Sequence, residues 1–138
     1  MEQIYTTPKG SIVLRFDSSS RIIMLQTYGK ITVDEHKIGY EKFIDECAAR
    51  QYPHMIFNNL EMKEDTAEGR AWFGTYIIPK FKKGIGDESK VRIAVVETKN
   101  LFQKIATKAI IAIANATGYK FNVKLFDTLE AALAWMKS

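Results

Sequence analysis

The chain has 138 residues, 46% hydrophobic and 26% charged, which suits one globular domain over residues 1–138 and excludes an intrinsically disordered chain. Its formal charge of +4 comes with acids interspersed among the bases, so no nucleic-acid partner is expected. The longest strongly apolar run, Ala109 to Ala114, is too short for a transmembrane segment, and MEQIYTTPKG lacks the apolar core of a signal peptide. These features lead to the expectation of a soluble, cytoplasmic protein.

Ser11 to Asp17 and Arg21 to Gly29 are β-rich runs around Ser18-Ser19-Ser20, the pattern of an antiparallel hairpin. Thr32-Val-Asp-Glu35 reads as a capping box, with Thr32 accepting from the Glu35 N–H and Glu35 reaching back. The helix it opens carries Tyr40, Phe43, Ile44, Cys47 and Ala48 on one stripe and ends near Gln51, before Pro53. His54 to Asn59 reads as a short buried strand, and Leu60 to Glu64 as a polar connection.

A second capping box, Asp65-Thr-Ala-Glu68, opens a helix with Trp72, Phe73, Tyr76 and Ile77 on adjacent ridges. Gly69 and Gly74 weaken it by about 1 kcal/mol each relative to alanine. Pro79 is expected to kink or end it, with the pattern resuming through Phe81 and a loop over Lys82 to Ser89. Val91 to Glu97 is an apolar strand, followed by a wide-faced helix that starts at Asn100 and stops at Gly118. Phe121 to Phe126 is the last strand, and Asp127-Thr-Leu-Glu130 caps a final helix with Leu129, Ala132, Leu133 and Met136 inward. The order ββαβαβαβα, with strand–helix–strand crossovers, predicts an α/β fold: a mixed sheet whose N-terminal antiparallel hairpin feeds parallel strands.

Trp72-x-x-x-Tyr76-Ile-Ile-Pro79, the strand RIAVVE and the ending Phe126-Asp-Thr-Leu-Glu-Ala-Ala-Leu-Ala-Trp135 carry a resemblance. With this element order, the chain from about Arg21 onward resembles the STAS domain of anti-sigma-factor antagonists. It is more closely similar to the SpoIIAA-like group, often described together with the CRAL-TRIO lipid-transfer domain. The resemblance implies a non-catalytic regulatory or protein-interaction module, or a binder of a small apolar or lipid-like molecule. Antagonists of this family present a phosphorylatable hydroxyl in an Asp-Ser-Ser-Gly-like turn at the start of the second helix. The matching residues here are Asp65-Thr66-Ala67-Glu68-Gly69, which makes Thr66 the one candidate, while Ala67 and Glu68 depart from the pattern. Asp65 and Thr66 also suit plain helix capping.

No catalytic or cofactor motif is present: no Walker loop, GxGxxG or G-x-S-x-G occurs. The two histidines, His36 and His54, fall in different elements without metal-ligand spacing, so no metal and no cofactor are expected. Cys47 reads as a buried, inert thiol, and Lys80, Lys82, Lys83, Lys90 and Arg92 as a solubilising segment. In open sheets of this kind ligands gather at the carboxyl ends of parallel strands. That rule nominates a rim of Asn58, Asn59, Asp65, Thr66, Glu97, Thr98 and Lys99, followed by Asp127-Thr128. A second candidate surface is the apolar segment Trp72, Phe73, Tyr76, Ile77 and Phe81, suited to a protein partner, self-association or the wall of an apolar pocket.

Overall fold

A computed structural model describes residues 1–86, 90–96, 108 and 122–138. Six strands, β1 (Glu2–Thr6), β2 (Ile12–Asp17), β3 (Ile22–Lys30), β4 (His54–Glu64), β5 (Arg92–Val96) and β6 (Asn122–Phe126), lie side by side in sequence order. β1, β2 and β3 pair antiparallel, and β3 through β6 pair parallel, so β3 joins two kinds of ladder. The helices are α1 (Val33–Ala49), α2 (Ala67–Trp72), a π turn (Phe73–Ile77), α3 (Ile78–Ile85) and α4 (Leu129–Met136). The mixed α/β sheet with its antiparallel hairpin is therefore the one read from the sequence. The helix expected from Asn100 to Gly118 lies outside the described residues.

Side chains alternate across each strand, and both faces of β3, β4 and β5 are largely covered, giving near-continuous apolar runs, while the edge strand β6 keeps Asn122 and Lys124 exposed. Ile23, Met55 and Ile93 sit in register and, with Leu25, Phe57 and Val95, face α1 and the α2–α3 segment. Their neighbours Met24, Ile56 and Ala94 point the other way, onto Ala132 and Met136 of α4. Phe43 of α1 is fully buried at the centre of the larger core. Its ring meets Phe57 at 5.2 Å and Phe81 at 6.2 Å, both edge to face, so one side chain ties α1 to the sheet and to α3.

The hairpin turn is held by Asp17, whose carboxylate accepts from the Ser19 N–H and from the Ser19 and Ser20 hydroxyls, while Arg21 takes a φ of 53°. Those bonds hold the Asp17 carboxyl down at about 2. α1 ends without a glycine: Gln51 and Tyr52 adopt φ of 57° and 51°, and the Tyr52 N–H donates to the Cys47 carbonyl at 2.7 Å.

Several local expectations change. β1 was not anticipated; it is a half-polar edge strand with a bulge after Gln3, pairing only with β2. β4 runs on through Glu64 instead of stopping at Asn59, because Glu61, Met62 and Glu64 keep pairing with β3 beyond the reach of β5. Ala48 is exposed rather than inward, lying past the edge of the α1 stripe. Lys82 to Ile85 are helical, not loop. Pro79 does not end the helix: the π turn just before it, closed by the Ile78 N–H on the Phe73 carbonyl, widens the coil, and α3 continues through the proline.

Candidate functional site

Three helices begin where parallel strands end. Thr32 after β3, Thr66 after β4 and Thr128 after β6 each accept from the N–H three residues on, at 3.2, 2.9 and 3.2 Å. The caps of α2 and α4 are thus Thr66 and Thr128, one residue beyond the aspartates that were expected to open the boxes. Both threonines have the extended backbone that an N-cap requires, with ψ of 149° and 152°. Asp65 instead pairs with Arg70 across the first turn of α2.

Glu35 also departs from the box. Its carboxylate crosses to the β1–β2 turn and accepts from the Ser11 hydroxyl at 2.9 Å and from the Lys9 and Ser11 N–H groups at 3.2 and 3.4 Å. Burial pushes this carboxyl up, but bonds from the Thr7 and Ser11 hydroxyls and the two N–H groups outweigh it, and the net shift is downward. The tether spans elements far apart in sequence, and no local pattern announces it.

Of the nominated rim residues, Asn58 and Asn59 are buried and engaged inside the fold. The Thr27 hydroxyl donates to Asn59 Oδ1 at 2.9 Å, and the Leu60 N–H to Asn58 Oδ1 at 3.3 Å. Asp65 and Thr66 are half-buried at the start of α2. Glu97, Thr98 and Lys99 lie outside the described residues. Thr66, the hydroxyl offered for phosphorylation, spends its oxygen on the Gly69 N–H.

The aromatic segment divides by depth. Ile77 and Phe81 belong to the core, and Phe73 packs edge-on to Tyr40 at 5.1 Å. Trp72 and Tyr76, one helical turn apart, stack with ring centroids 5.2 Å apart, and Lys80 lies 4.4 Å over the Tyr76 ring. Tyr76 is 38% exposed, one of three large hydrophobic residues so exposed among those described. Trp72, Tyr76 and Lys80 therefore form an outward ridge along the α2–α3 segment.

Behind the ridge sits His36. It is 5% exposed, stacked on Tyr40 at 4.6 Å and edge-on to Trp72 at 6.1 Å, and among the described residues neither ring nitrogen has a hydrogen-bond partner. Burial lowers its pKa to about 4, with Asp65 opposing the shift and Arg70 adding to it. Gly69 makes the room: a Cβ there would lie 2.8 Å from His36 Nδ1 and 3.0 Å from Thr66 Oγ1. Sequence reading noticed both His36 and Gly69 but not that they meet, because periodicity places a side chain on a face without naming what it touches.

A matched pair of variants tests the crowding. Gly74→Ala, with no described atom within 4 Å of the new Cβ, is expected to gain up to about 1 kcal/mol from helix propensity. Gly69→Ala is expected to lose about 1 kcal/mol instead, since overpacking against a ring held on both faces exceeds the same propensity gain. Urea midpoints of the two variants check this; equal stabilisation by both would show that the imidazole yields freely.

Cys47 is fully buried and burial pushes its thiol well above the usual range, so it is not poised as a nucleophile. Among the described residues no group of three or more His, Cys, Asp or Glu is placed to hold a metal ion. No described helix is long and apolar enough to cross a membrane.

No protein-family model and no curated protein matches the chain. Solved structures do. An uncharacterised DUF3478-family protein with a SpoIIAA-like fold, from Shewanella loihica PV-4, is 16% identical, with 91% of each chain covered and a TM-score of 0.55. The anti-sigma factor antagonist SpoIIAA in its unphosphorylated form is 10% identical over 92% of this chain and 98% of that one, with a TM-score of 0.59. A putative anti-sigma factor antagonist from Thermotoga maritima is 12% identical over 91% and 93%, with a TM-score of 0.60. At such identities the likeness speaks for the fold alone. Together with the hairpin-led mixed sheet, it gives this chain a SpoIIAA-like fold.

Proposed function

We propose that the chain is a non-catalytic regulatory module that docks a protein, a partner or a second copy of itself, through the Trp72–Tyr76–Lys80 ridge. The observation that carries this reading is the exposed Tyr76 ring, stacked on a half-buried Trp72, on a segment whose Ile77, Ile78 and Phe81 are consumed by the core. Trp and Tyr are the residue types that most often anchor protein interfaces, and a cation over the ring pre-orders the surface. Solved structures that share the fold bear the name anti-sigma factor antagonist, a class of protein-binding regulators, which supports the same direction. Modification of Thr66 belongs to this proposal as its regulatory arm. A phosphoryl group there would replace the cap at the start of the segment that carries the ridge, beside Arg70.

Tyr76→Asp is the informative variant, because Tyr76 is exposed while Ile77 is fully buried and an aspartate there would test stability instead. Native mass spectrometry of the freshly purified protein should show a homo-oligomer or a co-purifying protein that Tyr76→Asp loses, with an unchanged circular dichroism spectrum. An association that survives the substitution would remove the ridge from the interface. A small apolar adduct that vanishes on denaturation would instead support a binder of lipid-like molecules.

A further inference from the structure

His36 fills the seam between α1 and the α2–π–α3 segment, with Tyr40 on one side and Trp72 and Phe73 on the other. Buried polar atoms nearly always find a partner, and this ring has none for either nitrogen among the described residues. Its neutral form leaves one N–H donor unsatisfied; its protonated form would leave two and bury a charge. We infer that His36 is an acid-operated wedge: protonation of the imidazole releases the α2–π–α3 segment from α1 while the sheet stays intact.

The charged surroundings do not rescue the imidazolium in place. Asp65, at the β4–α2 junction, favours it, but Asp65 already pairs with Arg70 of α2, and Arg70 opposes it. On α1, the neighbouring Glu35 is committed to Ser11 and Lys9 of the β1–β2 turn, and the Tyr40 phenol stays neutral because burial raises it. Thr66, Gly69, Trp72 and Phe73 bring no charge. Room is equally short, since even a single added Cβ at Gly69 would lie 2.8 Å from His36 Nδ1.

The segment is also the part of the fold best suited to open alone. It is made of two short helical pieces joined by a π turn, with Gly69, Gly74 and Pro79 all lowering its intrinsic helicity. The strands beneath it are held by the backbone ladders that join β1 to β4, unbroken between β2 and β3. An opened segment would expose Phe73, Ile77 and Phe81 and move the Trp72–Tyr76 ridge with it. The device stands whether or not that ridge docks a partner.

The sign follows from linkage. A solvated imidazole takes its proton near 6.5, whereas the closed form takes it only near 4. Between those values the open form binds a proton that the closed form refuses, so the opening constant rises up to tenfold per pH unit, toward a limit of roughly 300-fold. It levels off only well above 6.5 and well below 4. His54 titrates in the same direction, but it sits at the start of β4, where its Nδ1 accepts from the Arg92 N–H at 2.9 Å.

Amide hydrogen exchange from pH 7 to pH 4, corrected for the intrinsic rate, tests the wedge on the intact protein and on His36→Phe. Peptides covering residues 66–85 should show a roughly 100-fold rise in opening in the wild type, and little of it in His36→Phe. Peptides from β2 and β3 should stay protected in both, and any His54 contribution is common to both. An equal rise in His36→Phe, or one spread evenly through the sheet, overturns the inference. If His36→Phe does not fold, an NMR titration of the wild-type ring decides: a midpoint near 4 with segment resonances shifting in step supports the wedge, and a midpoint near 6.5 overturns it.

Discussion

Replacing Phe43 by alanine is expected to remove about 3–5 kcal/mol of stability, enough to leave a domain of ordinary stability marginal. The side chain is fully buried, and its ring is the shared edge-to-face neighbour of Phe57 on β4 and Phe81 on α3. The cavity would open between three elements rather than beside one, so collapse of any single neighbour could not fill it. Urea unfolding followed by tryptophan fluorescence should show a lower midpoint with an unchanged slope. A loss below about 1 kcal/mol would mean that α1 can slide into the void, contrary to the packing described.

Glu35→Ala should cost about 3 kcal/mol, by a different route. The carboxylate gathers the Ser11 hydroxyl and two backbone N–H groups of the β1–β2 turn, and alanine would leave the buried Ser11 groups without their acceptor. Glu35→Gln should fall between, keeping an acceptor oxygen but losing the charge. The pH dependence separates this from a packing effect. Because the folded carboxyl titrates below its ordinary value of 4.5, its contribution is fully present above that value and drains away as pH falls through the lower, folded one. Stability of Glu35→Ala should therefore lack that acid-side loss; an identical acid limb in both proteins would show that the tether contributes nothing in solution.

What the sequence revealed, and what it hid, divides along the range of the forces involved. The period-two runs of β2 and β3, the α1 stripe and the strand at Val91 depend on burial against a face, and hydrophobic spacing records that directly. β1 escaped because an edge strand with one half-polar face and a bulge carries no clean alternation. The true caps at Thr66 and Thr128 were one residue from the expected ones because both neighbours are good capping types, and rank alone, which favours aspartate, does not decide which of two adjacent positions takes the extended backbone. The pattern resumes through Phe81 as expected, while Pro79 does not end the helix because the π turn before it absorbs a local penalty and Ile77, Ile78 and Phe81 dock on the core. The Trp72–Tyr76 segment was singled out from composition, yet only depth separated the ridge from the core residues beside it. Glu35 and the unpartnered His36 were illegible as sites, since both are defined by residues distant in sequence: Ser11 and Lys9 for one, Asp65, Gly69 and Trp72 for the other.

Strand order in the sheet follows strand order in the chain without exception among the described residues, and that bears on how the protein is made. A nascent chain leaving the ribosome always finds the neighbour of its newest strand already synthesised. The β1–β2–β3 meander needs only short turns to close, and β4 and then β5 can each add to an edge that is waiting for them. Among the described strands none must be threaded between two earlier ones: the β1 edge stays as it is throughout synthesis, and the growing edge is the one the next segment covers.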